Sequence, residues 1–435
     1  MRALATAARG KGARGLIRRL RSVSTRYDFA SGRMAHSLER YSQVLRRFGC
    51  PATFPVTATT LARSKGTIER CRDQGIEIAV HGYRHVDHTR FGYEEQREQL
   101  ERARKLFHER GIEARGFRAP YLRWNPETVA AVTDAGFLYD ASPAIAWDLD
   151  REAGPSEYRT ALAFYGALSA EQRPSLPRWD GLIRIPYCLP DDEALVERLH
   201  RKDGASMAEP WLHILERTHQ LGELFTLGLH PERFFDCEEA LATTLRRASA
   251  LTPHVWMARL DAIAQWWAAR TTAEVSIEDL SEGLVHIRVR GPDGVTVLAR
   301  GVDLKTQPVT PWDGPYCAVQ GRDFHVRSLL RPFIGLSPSS SPRLATFLRQ
   351  QGFIVEEPQA RHEYGLILDR REFAETDERA LLSAIERSEC PLIRLGRWPH
   401  GAKSALCVTG DIDCLTLWDY ATRVLPGLDN FPHIY

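Results

Sequence analysis

The stretch Gly75-Ile76-Glu77-Ile78-Ala79-Val80-His81-Gly82-Tyr83-Arg84-His85 decides how the rest of the chain is read. Ile76 to Val80 is apolar and β-branched enough for a strand buried on both faces, the kind a parallel sheet uses. His81 then falls at the strand's carboxyl edge. In α/β folds ligands and catalytic groups collect at that edge, because the loops there are free of the packing that holds the sheet. Two imidazoles one helical turn apart can face one metal ion. Taken alone, the pair reads more readily as two surface-loop histidines, so the surrounding chain has to decide.

On the amino-terminal side, Met34, Leu38, Tyr41 and Leu45 recur at helical spacing between Arg33 and Arg47, and Gly49 suits the position just past the helix end. Ala52 to Val56 reads as a strand and Thr67 to Gln74 as a helix stopped by Gly75. Beyond His85, Tyr93 to Arg110 is a charged helix with Leu100, Ala103 and Phe107 on one face, and Gly116 to Tyr121 a short strand with its exit. Asn125 caps and Pro126 opens a helix to Ala135. Strands follow at Phe137 to Asp140, Leu182 to Pro186 and Leu224 to His230. Helices follow at Ala208 to Leu221, Glu238 to Ser249 and Leu260 to Ala269, the last two around Val255-Trp256-Met257. This alternation predicts a parallel sheet, most simply closed as a barrel.

The pattern changes after Arg270. Glu274 to Ile277, Leu284 to Arg290 and Val295 to Ala299, the last two joined around Pro292-Asp293-Gly294, read as an antiparallel meander. From Phe333 an α/β pattern returns: strands at Ile334 to Leu336, Phe353 to Glu356, Tyr364 to Leu368 and Leu392 to Leu395, with helices at Pro342 to Gln351 and Thr376 to Glu386. Ser337 to Pro342, at a helix start, reads as a capped loop, with an anion cradle as the alternative. Ser404 to Asp413 is an apolar strand ending in two acids, Asp411 and Asp413, a sheet-edge signature like those of the first part of the chain.

Composition narrows the partners. With 435 residues, 43% hydrophobic, 26% charged and a formal charge of +2, the chain is long enough for more than one core and carries no global basic field. Nucleic acid is therefore not expected as a partner. The 8 cysteines are scattered without a CxxC pair, which suits free thiols in a reducing compartment. Residues 1–27 form a basic arm, read as a frayed helix, without the apolar core of a secretion signal. No run approaches the length of a membrane span. The expected location is cytoplasmic.

Ala52-Thr53-Phe54, His81-Gly82-Tyr83-Arg84-His85, Phe117-Arg118-Ala119-Pro120-Tyr121, Tyr139-Asp140-Ala141-Ser142 and Leu227-Gly228-Leu229-His230 occur in this order, each at or near a strand end. Together they resemble the motifs of the polysaccharide deacetylase (NodB-homology) family, metal-dependent carbohydrate esterases built on a distorted (β/α) barrel. The resemblance covers about residues 28–270. That family's first motif, an Asp-rich strand end of TFDDG or TFDxD type, should precede the helix at Arg33, where this chain reads Thr25-Arg26-Tyr27-Asp28-Phe29. The strand that looks like it is Val408-Thr409-Gly410-Asp411-Ile412-Asp413. The resemblance thus implies a circular permutation. Its domains are a basic arm at 1–27, a barrel at 28–270, a small accessory domain with antiparallel strands and α/β layers at 274–400, and a completing strand and helix at 401–435. Donation of that strand to a second subunit would make a homo-oligomer instead.

Carried over by motif, the resemblance implies a divalent metal ion, with Zn2+ as the expected ion, on His81, His85 and Asp413. It implies Asp411 as general base, Arg118 as the partner holding that base ionised, the Tyr121 backbone N–H as oxyanion donor and His230 as general acid. The roles of Asp411 and Asp413 stay interchangeable at this stage. His88 is a spare, read as solvent-exposed. The expected reaction is removal of an acetyl group from an N- or O-acetylated sugar or polysaccharide precursor. Two competing readings are amidohydrolysis of a small cyclic amide or ureide on the same barrel, and a carbohydrate-binding relic without activity. Gly82, where metalloprotease chemistry needs Glu, excludes that class.

Overall fold

The computed structural model of the protein describes residues 26–424 except 30, 65, 149–155, 282, 305–306 and 361. Nearly all of the basic arm at 1–27, and the end of the carboxyl-terminal segment, lie outside the described residues. The amino-terminal helix α1 (Gly32–Arg47) buries Met34, Leu38, Tyr41 and Leu45, the stripe its periodicity predicts. It leads to β1 (Ala52–Val56), followed by α2 (Thr67–Asp73) and β2 (Glu77–Val80). Every residue of β1 and of β2 is buried, as expected of strands covered on both faces. The alternation continues through α3 (Tyr93–Glu109), β3 (Gly116–Phe117), α4 (Pro126–Asp134) and β4 (Tyr139–Asp140), which runs on to β5 (Ala144–Ala146). Helix α4 opens on the expected cap, Asn125 Oδ1 accepting from the Thr128 N–H at 2.9 Å.

Helix α5 (Ser156–Tyr165) and the short strands β6 (Leu168–Ser169) and β7 (Arg178–Trp179) occupy the excursion that precedes β8 (Ile183–Arg184) and β9 (Tyr187–Leu189). Then come α6 (Gly204–Leu221), β10 (Leu224–Leu229), α7 (Phe234–Ala250), β11 (Val255–Met257) and α8 (Leu260–Arg270).

The first sheet curls round on itself, and its missing position is filled from the far end of the chain. Strand β22 (Ser404–Gly410) lies parallel between β1 and β10, with Ala52 opposite Val408 and Leu227 opposite Val408 on the other side. From β1 the parallel pairing passes through β2, β3 and β4 to β8. Along the continuing strands, β5 pairs β9, and β9 meets β10 at Leu227 and Cys188. The pairings therefore run round seven strand positions, a distorted (β/α) barrel whose wall is broken where the strands are short. The acidic-ended strand is contributed in cis. Gly228 on β10 is required by a close approach: a Cβ there would stand 1.8 Å from the Tyr187 hydroxyl oxygen.

Residues 274–400 build three smaller sheets, and here the sequence expectation needs correction. Strands β12 (Glu274–Ser281) and β13 (Leu284–Arg290) form a hairpin, but β13 does not continue into β14 (Val297–Arg300) as a meander. It pairs instead with β17 (Asp323–Arg327), while β14 sits between β16 (Tyr316–Val319) and β21 (Leu392–Leu395), with β15 (Val309–Asp313) beyond β16. The reason is burial. All four residues of β14 are buried, so it needs neighbours on both edges and cover on both faces, whereas β13 alternates buried and half-exposed or exposed positions. The third sheet, β18 (Arg331–Leu336) between β19 (Val355–Glu356) and β20 (Tyr364–Leu368), is parallel and carries α9 (Pro342–Gln350) and α10 (Glu378–Arg387). Strand β21 leaves this unit for β14. In the serine loop before α9 the expected side-chain cap is not formed: Ser341 at the N-cap makes no side-chain cap hydrogen bond, and Ser339 Oγ donates instead to Asp369 Oδ1 at 2.7 Å. Helix α11 (Leu417–Val424) follows β22. Among the described residues no helix is long and apolar enough to cross a membrane.

Candidate active site

Strand ends bring the chemistry together. His81 follows β2, Arg118 follows β3, His230 follows β10, and Asp411 follows β22 at the same edge of the barrel. A cavity of about 720 Å³ opens there, lined by His81, His85, Tyr121, His230, Asp411 and Asp413 among others. All of the residues predicted for the site border this cavity except Arg118, which lies beneath it, fully buried.

The two histidines and one carboxylate converge. Asp413 places Oδ1 3.4 Å from His81 Nε2 and Oδ2 3.2 Å from His85 Nε2. His81 Nδ1 lies 2.9 Å from the Arg118 carbonyl oxygen, a hydrogen bond that fixes the ring and turns Nε2 to the cavity. Two imidazole nitrogens and a carboxylate oxygen, with all ligand atoms within 4.8 Å of one another, are a donor set that fits a divalent metal ion.

Asp411 has different partners. Its Oδ2 is 4.0 Å from His81 Nε2, and its Oδ1 accepts from Arg118 Nη1 at 2.5 Å. The same guanidinium donates to Thr409 Oγ1 at 2.9 Å and to the Ala141 carbonyl at 3.2 Å, and stacks over the Tyr187 ring at 4.7 Å from its centroid. Asp411 thus has a buried cation as its nearest charged neighbour, while Asp413 faces both imidazoles.

On the other side of the cavity, His230 Nδ1 is 2.7 Å from Asp192 Oδ1, and the His230 backbone N–H donates to Asp192 Oδ2 at 2.7 Å. Burial opposes the imidazolium, but the charge and hydrogen bond of Asp192 outweigh it and hold the His230 proton well above the usual histidine range. Neighbouring Asp191 accepts from the Tyr187 hydroxyl at 2.8 Å, and burial together with the Asp192 charge pushes its carboxyl up to about 6. Ligand atoms of Asp191, Asp192 and His230 also lie within 4.8 Å of one another, but both Asp192 oxygens are already engaged with His230. Tyr121 adopts a left-handed backbone, φ 60°, rare for a non-glycine residue, and sets its ring edge-on to His85 at 4.3 Å.

One sequence expectation is overturned and two residues were missed. His88 is not solvent-exposed: it is fully buried against Phe117, with ring centroids 5.4 Å apart, and burial pushes it down to about 4, so it stays neutral. Asp192 and Tyr187 were invisible because β9 has only three residues, flanked by Pro186 and Pro190, too short to register as a strand. The signal that could have found Asp192 is the pair Asp191-Asp192 directly after that run, an acidic strand end like Asp411 and Asp413.

The fold and site define a strand-end cavity of a (β/α) barrel with a 2-His-1-carboxylate cluster. Residues 21–139 match a family model described as polysaccharide deacetylase. A peptidoglycan deacetylase-like protein, FGM2, of Gibberella zeae is 39% identical over 74 residues, 16% of this chain and 21% of that relative. The match therefore spans about a fifth of the curated relative. Among solved structures, a protein of Pseudomonas aeruginosa PAO1 described as a polysaccharide deacetylase is 22% identical, covering 53% of this chain and 72% of its own, with a TM-score of 0.43. PuuE allantoinase is 22% identical over 54% of this chain and 72% of its own, with a TM-score of 0.44.

Proposed function

We propose that the protein is a metal-dependent hydrolase that removes acetyl groups from an N- or O-acetylated sugar or polysaccharide precursor. The observation that carries this reading is the division of labour between the two acids, Asp413 facing both His Nε2 atoms while Asp411 is tied to Arg118. His81, His85 and Asp413 would hold the ion, with Zn2+ the best match to two imidazoles and one carboxylate. When bound, such an ion polarises an acyl carbonyl and acidifies a coordinated water.

The chain's own residues do the rest. Asp411, paired with the guanidinium of Arg118, accepts the proton of the attacking water. The backbone N–H of Tyr121, a residue that lines the cavity and has a left-handed backbone, stabilises the charge that develops on the acyl oxygen. His230, kept protonated by Asp192, hands its proton to the departing amine or alcohol, which leaves poorly without it. The order of the strands fits a permuted family barrel, with β22 standing where the first motif would be.

Acetate release from N-acetylglucosamine oligomers by the zinc-loaded protein, lost on chelation and restored by zinc, is the test. No release from acetylated sugars under any metal, with hydrolysis of a cyclic ureide instead, would replace this reading by the amidohydrolase one. A protein that binds the oligomer and hydrolyses neither would be a binding relic.

A further inference from the structure

We propose that residues 274–400 serve as a brace for the active-site wall, with Arg379 as the positioning residue; this rests on the cavity being the substrate site. The wall in question is α5, from which Glu157, Thr160, Ala161, Phe164 and Tyr165 line the cavity. Helix α5 runs straight into β6 and then into a strap, residues 170–177, that has no regular structure of its own apart from turns.

What fixes the strap is α10. Arg379 Nε donates to the Ala170 carbonyl at 2.8 Å, and the Arg379 backbone N–H donates to the Gln172 carbonyl at 3.2 Å. Its two terminal nitrogens grip the Glu223 carboxylate on both oxygens, one contact being 3.0 Å. Glu223 in turn accepts from the Ser175 N–H at 2.9 Å. Arg379 and Glu223 are both buried, so the fork is rigid and shielded from water. Around it, Glu375 receives Arg173 at 2.8 Å and Arg178 at 2.9 Å, and Glu378 pairs with Arg178. One strap is thus held at both ends by one helix end of the 274–400 region.

Nothing in the chemistry of the cavity requires those contacts, since no residue of α10 lines it. Their effect is to set where α5 stands, and hence how substrate is seated, without touching His81, His85 or Asp413. A brace of this kind alters binding more than turnover.

The experiment uses full-length, zinc-loaded protein carrying Arg379→Ala or Arg379→Lys. It reads hydrogen exchange by mass spectrometry, bound zinc, and steady-state kinetics on N-acetylglucosamine oligomers. Arg379→Ala is expected to speed exchange over residues 156–178 by about tenfold while strands β2 and β22 keep wild-type protection. Zinc stays stoichiometric, KM rises by about fivefold or more with kcat within about twofold, and Arg379→Lys recovers part of the loss. Unchanged exchange over 156–178, a rise spread evenly over the barrel, or a fall in kcat at constant KM would overturn the brace. Should Arg379→Ala not fold, Glu375→Gln, on a half-exposed carboxylate, loosens the same strap more gently and must move exchange in the same segment. A wild-type protein inactive on every acetylated sugar would refute the deacetylase reading, while the exchange data would still decide the brace.

Discussion

Replacing each acid of the carboxyl-terminal strand end separately should divide metal binding from turnover. Asp413→Asn removes the carboxylate that, among the described residues, faces both imidazoles, at 3.4 and 3.2 Å, and leaves two imidazole donors. Bound zinc after dialysis should fall below stoichiometry, with activity lost in proportion. Asp411→Asn leaves that donor set whole and takes away the group held by Arg118 at 2.5 Å. A lost general base costs about 10²–10⁴ in kcat, or roughly 3–5 kcal/mol of barrel-site transition-state stabilisation. The same change has a stability side. The fully buried Arg118 guanidinium loses its counter-charge but keeps Thr409 Oγ1, the Ala141 carbonyl and an amide oxygen at position 411 as acceptors. Breaking a buried pair outright costs about 3–5 kcal/mol, so with those acceptors retained about 2–3 kcal/mol is expected, read as a lower melting temperature. Zinc content by elemental analysis, acetate release and thermal unfolding on the same preparations settle the case. Zinc lost from Asp411→Asn and retained by Asp413→Asn would exchange the two roles, and full activity in both would refute the site.

Three other perturbations follow from the geometry. Asp192→Asn withdraws the charge that, against burial, holds the His230 proton at high pH, so the basic limb of the kcat/KM profile should move to lower pH; an unmoved limb would remove His230 from the acid role. Glu77 sits buried beside Asp261, burial being the larger cause, and its carboxyl is pushed from 4.5 up to about 7 although Thr53, Tyr139 and the Asp261 N–H all donate to it. A folded-state value above the unfolded one means stability that is whole below about 4.5 and lost as pH rises toward about 7, on the order of 3 kcal/mol; urea unfolding of Glu77→Gln at pH 5 and pH 8 should show that dependence flattened. Gly228→Ala drives a methyl into the Tyr187 hydroxyl, where the would-be Cβ stands at 1.8 Å, and should cost about 1–3 kcal/mol and displace the ring under Arg118, seen as a drop in both melting temperature and kcat.

How far the sequence could be read depended on strand length and on what covers each strand. The runs at Ala52–Val56, Leu224–Leu229 and Ser404–Gly410 are long, buried on both faces and end in polar residues, so His230 and the pair Asp411 and Asp413 stood out at once. Arg118 announced itself only through its motif, because β3 has two residues and no periodicity of its own. Tyr187 opens, and Asp192 follows, a three-residue strand between prolines, and nothing local separates such a segment from a loop. His88 failed for another reason: a histidine in a polar turn looks exposed, and only the packing of Phe117 and the approach of the Gly82 loop bury it. In residues 274–400 the hairpin β12–β13 was legible from its alternation, but the partner of β14 was not, since a fully buried run states that it has neighbours and not which ones.

The same distinction explains why the site is split along the chain. A parallel strand such as β22 needs only neighbours whose edges are open and faces that are covered, and β1 and β10 supply both wherever the strand is synthesised. The register then does the chemical work. With Leu229 opposite Gly410 and an isolated bridge between Val56 and Ile412, the two acids flanking Ile412 stand two residues apart at the strand's end, so the alternation of an extended chain sends both to one face. Asp411 meets Arg118 from β3, while Asp413 meets the histidines that follow β2. A slip of one residue in that pairing would exchange the two faces and leave Arg118 buried without its carboxylate. The electrostatic need of Arg118 therefore reinforces the register that the buried apolar residues of β22 set. Asp411, held by Arg118, and Asp413, facing the two histidines, are placed by one strand pairing rather than by two separately tuned loops.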